Sequence, residues 1–156
     1  MTNQIEQEHF LKPLFELLNE TFVNPQGIYL DPNTSLFQTL EPISAEQASI
    51  PVGNKCASLA AQVAHIIFYL DVLERYVVNH DTSRVDWGEV WRTVEKVSPA
   101  EWDALRANLK QTYARIEQML RANLTWNEDS IGGAMALVVH TAYHLGEIRQ
   151  ALCVLT

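Results

Sequence analysis

Apolar residues recur along this chain at intervals of three and four, which predicts helices, and no stretch shows the period-two alternation of a half-buried strand. The first helix is expected from about Asn3 to Val23. Phe10, Leu14, Leu18 and Phe22 share one of its faces, with Leu11 and Phe15 widening the stripe and Pro13 marking a point where it can kink. Between Asn24 and Asn54, Pro25, Gly27, Pro32, Pro42, Pro51 and Gly53 are too dense for a long helix. That connection has room for a short helix in SLFQTL (35–40) and a turn capped by Ser44. Its length suits a crossover that covers one end of the fold, with Leu36, Phe37 and Ile43 as its apolar contacts and a share in the wall of any site beneath it.

The second long helix is expected from about Lys55 to Asn79. Leu59, Val63, Ile66, Leu70 and Leu73 form its main stripe, and Ala61, His65, Phe68 and Val72 lie beside it. Apolar residues cover most of its circumference as far as Glu74, which suggests a central element with several neighbours. One short helix is expected near 87–94. Ser98, Pro99 and Glu101 then supply an N-cap, a proline at the first helical position and an N3 carboxylate for the third long helix. Its core stripe is Trp102, Leu105, Leu109, Thr112, Ile116 and Met119. Asp129 or Ser130 is the expected cap of the fourth, which runs to about Leu155, with Gly132 and Gly133 allowing a close neighbour. Four amphipathic helices and one long connection predict an all-α fold, most economically an antiparallel four-helix bundle with a long crossover between helices 1 and 2, forming a single domain over 1–156.

Composition narrows the functions open to such a fold. The chain has 156 residues and a formal charge of −8, with only 11 Lys and Arg spread along it, so a nucleic-acid partner is not expected. No uninterrupted apolar run is long enough to cross a membrane, and the beginning MTNQIEQEHF does not read as a secretory leader, so a soluble cytoplasmic protein is expected. Cys56 and Cys153 sit in apolar helical contexts without ligand spacing and read as small buried hydrophobes.

The candidate chemistry lies in three histidines. His140 and His144 are four residues apart on the apolar side of the fourth helix, together with Gly133, Leu137, Glu147 or Ile148, and Ala151, and His65 lies in the apolar second helix. Burying a polar ring without a partner costs about 1–3 kcal/mol, so three of them facing one core need either hydrogen-bonding partners or a shared ion. Three imidazoles suit a divalent ion, zinc or nickel first and iron or manganese next, with a position left for water or substrate. Glu147, three residues after His144, could act as a catalytic base, as an acceptor behind a ligand, or as a surface carboxylate paired with Arg149 or Arg121. Tyr69 and Tyr143 are candidates for the pocket lining or the core. His9 and His80 lie in polar settings and read as solvated. HExxH and paired ExxH motifs are absent, which argues against zincin peptidases and di-iron carboxylate bundles.

The run HTAYHLGEIRQAL at 140–152, with the isolated His65 of QVAHIIFYLDVL and the long first crossover, resembles the DinB-like (damage-inducible, YfiT-type) superfamily. The resemblance implies a bundle, typically dimeric, with one divalent metal held by a histidine of the second helix and two of the fourth, here His65, His140 and His144. It further implies metal-dependent hydrolysis, or transfer to a low-molecular-weight thiol, acting on a small-molecule substrate. Many relatives carry glutamine where this chain has Glu147, which leaves the role of that residue open. The alternatives are a non-catalytic metal-binding or stress-associated dimer, and a bundle whose histidines only make core hydrogen bonds.

Overall fold

The computed structural model describes residues 5–54, 56–122 and 125–155. Among them it contains seven α-helices and no strand: α1 (Gln7–Phe22), α2 (Leu36–Leu40), α3 (Ala45–Ala48), α4 (Leu59–Asn79), α5 (Glu89–Thr93), α6 (Pro99–Ala122) and α7 (Glu128–Leu155). The expected starts at Asn3 and Lys55 lie outside the described residues. Pro13 stays within α1 on its exposed side, so the helix continues through the position where a kink was expected.

Side-chain caps fix the starts of α2, α3, α4, α6 and α7. Ser35 and Ser44 each form reciprocal boxes with Gln38 and Gln47, and Ser58 accepts from the Ala61 amide at the start of α4. Ser98 and Glu101 exchange bonds as their spacing predicts, with the Glu101 amide donating to Ser98 Oγ at 3.3 Å. The cap of α7 differs from expectation. Asn127 Oδ1 accepts from the Ser130 amide at 2.9 Å, and the Asn127 amide donates to Ser130 Oγ at 2.8 Å. Asn127 therefore occupies the cap position and Ser130 lies three residues inside, where its hydroxyl answers the cap's own amide. His80 closes α4 in the left-handed region at φ 51°.

α4 is the central element, packed on α6 and on α7, while α1 packs on α7. The predicted stripes meet here: Leu18 and Phe22 of α1, Leu59, Val63, Ile66 and Leu70 of α4, Leu109 and Ile116 of α6, and Leu137 and Ile148 of α7 are all shielded from solvent. Gly133 sets the approach of α7 to α4, because a Cβ at that position would lie 2.9 Å from Val77 Cγ2. Gly132 has nothing within 4 Å of such a Cβ and plays no part in the approach.

The connection between α1 and α4 is fastened at both ends of its path. Glu20, buried near the end of α1, accepts the backbone amides of Gln26, Ile28, Tyr29 and Leu30 at 2.6–3.0 Å. Burial raises its pKa, but those four amide bonds outweigh it and hold the carboxyl at about 2. Gly27, at φ +83°, lets the chain fold over that carboxylate. Farther on, Trp102 Nε1 donates to Ile43 O at 2.7 Å, Arg106 Nη1 donates to Glu41 O at 2.9 Å, and Phe37 packs against Phe22 and Tyr113. Leu36, Phe37 and Ile43 thus enter the core on the α1 and α6 side.

Candidate metal centre

α4 and α7 lie against each other because both have broad apolar faces, and that packing brings the three histidines together. Ring centroids are 4.5 Å apart for His140 and His144, 4.8 Å for His65 and His144, and 5.1 Å for His65 and His140. One ring nitrogen from each lies within 4.8 Å of those of the other two. His65 and His144 are buried and His140 is half-buried, while His9 and His80 are exposed, as their polar settings predict.

Hydrogen bonding separates this cluster from ordinary core histidines. Among the described residues, buried His65 Nδ1 and His140 Nε2 have no hydrogen-bond partner. His144 is held from behind: its Nδ1 lies 2.6 Å from Gln62 Oε1 and 3.0 Å from Glu147 Oε2. A ring anchored through Nδ1 has Nε2 available for a ligand bond, and an anchoring carboxylate is a common companion of a metal-bound histidine. Burial lowers the pKa of all three rings, and neighbouring rings lower it further for His65 and His140, to about 4 each. All three are therefore neutral near pH 7 and can donate a lone pair. Three converging imidazoles, two of them with unpartnered buried nitrogens, fit a divalent ion of borderline softness.

Glu147 is half-buried and faces the cluster. Its Oε2 accepts from Gln62 Nε2 at 3.1 Å as well as from His144. Burial raises its pKa, but hydrogen bonds from Tyr143 and Gln62 and its contact with His144 prevail, leaving it below the usual carboxylate range. Arg121 pairs instead with Glu117 at 2.7 Å, so the surface pair with Arg121 does not form.

Aromatic rings wall the cluster. Tyr69 stacks on His140 at 3.6 Å between centroids and 12° between planes, and Trp91 of α5 stacks on His65 at 4.3 Å and 29°. Tyr143 lies edge-on to His144 at 5.2 Å and is largely exposed. A cavity of about 550 Å³ flanks Gln62 and Glu147, with Val52, Leu59, Cys56 and Tyr143 in its wall. Val52 of the long connection borders this cavity. Cys56 and Cys153 are exposed, which corrects their reading as buried hydrophobes. Cys56 precedes the first turn of α4, and Cys153 lies at the outer edge of the last turns of α7, where apolar sequence context no longer means core.

Sequence reasoning missed Gln62 and Trp91. Gln62 left a signal, a lone polar residue one turn before His65 in an otherwise apolar run. Trp91 left little, because its five-residue helix follows a polar segment whose path the periodicity does not determine. No protein-family model matches the chain, and neither does any curated protein or solved structure. The DinB-like resemblance therefore rests on the residues that carry it, chiefly those of 140–152.

Proposed function

We propose that this chain is a metal-dependent enzyme that carries one divalent ion on His65, His140 and His144 and acts on a small-molecule substrate, by hydrolysis or by transfer to a low-molecular-weight thiol. The observation that carries the reading is the convergence of three neutral imidazoles, two of which have buried nitrogens with no other partner. Leaving those nitrogens unsatisfied costs about 1–3 kcal/mol each, and a shared ion removes that cost. When bound, such an ion supplies Lewis acidity, polarising a carbonyl or lowering the pKa of a coordinated water or thiol. Zinc and nickel suit the donor set best, followed by iron and manganese.

The chain's own residues would position and shield this chemistry. Gln62 and Glu147 hold His144 from behind, and Tyr69 and Trp91 limit the approach of water to His140 and His65. For Glu147, named above as the catalytic candidate, the geometry favours holding His144 over abstracting a proton, since the oxygen nearest the cluster already accepts from two groups. We read the fold as an antiparallel four-helix bundle of the DinB-like kind with the 24–54 connection as its crossover, a reading supported by the contacts of α4 with α6 and α7 and of α1 with α7.

A second reading is a non-catalytic metal-binding or stress-associated dimer. Met135, Val139 and Tyr143 form an exposed apolar strip on α7, 56%, 67% and 62% accessible. A strip without charge on a chain of formal charge −8 favours contact with a second copy, so we take the protein to be a homodimer in either reading. The deciding experiment is metal analysis of protein prepared without an affinity tag, followed by assays with simple esters and with thiol-reactive electrophiles. One equivalent of a divalent ion with turnover supports the enzyme, and an ion without turnover supports the second reading. No binding of zinc, nickel, iron or manganese after reloading would overturn both.

A further inference from the structure

We propose that Gln62 is the positioning residue of the site: its amide fixes the tautomer of His144, so that Nδ1 carries the hydrogen and Nε2 presents its lone pair toward His65 and His140. This deepens the reading of a three-histidine metal centre, but the tautomer itself can be read in the metal-free protein.

The argument rests on a closed set of three contacts. His144 Nδ1 faces the amide oxygen of Gln62 at 2.6 Å and the Glu147 carboxylate at 3.0 Å, while Gln62 Nε2 donates to the same carboxylate oxygen at 3.1 Å. An amide oxygen and an ionised carboxylate can only accept, and a neutral imidazole has one N–H, so that hydrogen must be on Nδ1. Turning the Gln62 amide over would set its NH2 against Nδ1–H and its oxygen against the carboxylate, two repulsive contacts in place of two bonds. Glu147 thus orients Gln62, and Gln62 makes the shorter of the two bonds to the ring.

Position explains why Gln62 matters beyond what Glu147 supplies. Glu147 is on α7 with His144, three residues along, and moves with it. Gln62 is on α4, three residues before His65. Its bond is the one that refers the His144 ring to the helix bearing the third histidine. Without it, Glu147 would remain half-exposed beside the 550 Å³ cavity and could swing away with the ring.

The test uses the full chain with Gln62→Met, which keeps the length of the side chain and removes both bonds. Long-range ¹H–¹⁵N NMR of the metal-free, ¹⁵N-histidine-labelled protein near pH 8 reports each neutral ring's tautomer. The wild type is expected to show His144 almost wholly as Nδ1–H, and Gln62→Met to show a mixture, with unchanged helical circular dichroism and zinc affinity lowered by about 10- to 100-fold. Gln62→Asn, which can restore an acceptor at shorter reach, should recover part of the Nδ1–H population. An unchanged His144 tautomer in Gln62→Met would overturn the proposal, since Glu147 alone would then suffice. If the wild type bound no divalent ion, the metal reading would fail while the tautomer result still judged Gln62.

Discussion

Trp91 lies over His65 with ring centroids 4.3 Å apart and planes 29° from parallel, so the helix bearing His65 is covered by the shortest of the helices that follow it. Trp91 is itself 38% exposed and stands between solvent and the cluster. Trp91→Ala should uncover His65. In metal-free protein, diethyl pyrocarbonate should modify His65 several-fold faster than in the wild type, as read by peptide mass spectrometry. Equal rates would mean that other groups shield the ring.

His140→Ala is expected to abolish stoichiometric zinc binding in calorimetric titration. The fold should persist, because the core is built from Leu, Ile, Val and Phe on four long helices and is large enough to stand without an ion. Circular dichroism at 222 nm should match that of the wild type, and a collapse of helical signal would identify the metal as structural instead.

Glu20 makes stability depend on acid. Its folded pKa of about 2 lies below the ordinary value of 4.5, so between those values the unfolded chain binds more protons and stability falls as pH falls. The contribution is complete above about pH 4.5. Glu20 is sealed by a single layer of loop rather than deep in the core, and allowing for solvent screening the contribution is about 1–3 kcal/mol. Glu20→Gln should lose about that much in urea unfolding at pH 7 and much less at pH 2.5. Equal losses at both pH values would show that the charge is not what binds the loop.

Gly133 and Gly132 should respond oppositely to alanine. Each change gains up to about 1 kcal/mol of helix propensity. At Gly133 the new Cβ meets Val77 Cγ2 at 2.9 Å and Leu73 Cδ1 at 3.4 Å, and overpacking at such a contact costs about 1–3 kcal/mol. Urea midpoints should therefore fall for Gly133→Ala and hold or rise for Gly132→Ala.

The α7 strip should hold two copies together. Val139→Glu places a charge at the centre of Met135, Val139 and Tyr143, and it should convert a dimer to a monomer in light scattering while helicity is retained. A wild-type protein that is monomeric at all concentrations would remove the homodimer from the proposal.

Local chemistry was legible in the sequence wherever it depends on neighbours along the chain. The spacing of Leu59, Val63, Ile66 and Leu70 dictates a buried helical face, and Ser98 with Glu101 dictates where α6 begins, because periodicity and capping act within one or two turns. The same reasoning placed His140 and His144 on one side of α7 and His65 on the buried side of α4. It named Asp129 or Ser130 as the cap of α7 and missed Asn127, since all three can accept the required bond and only the backbone path selects among them. It could not find Trp91 or Gln62 as parts of the site. A stack on His65 depends on how the 80–98 segment returns across α4, and the bond from Gln62 to His144 joins residues 82 positions apart. The helices and the ligand types they carry follow from periodicity and residue identity along the chain. Which nitrogens of His65 and His140 lack a partner, and which nitrogen of His144 is anchored, follows from groups brought together by the packing of α4 against α7.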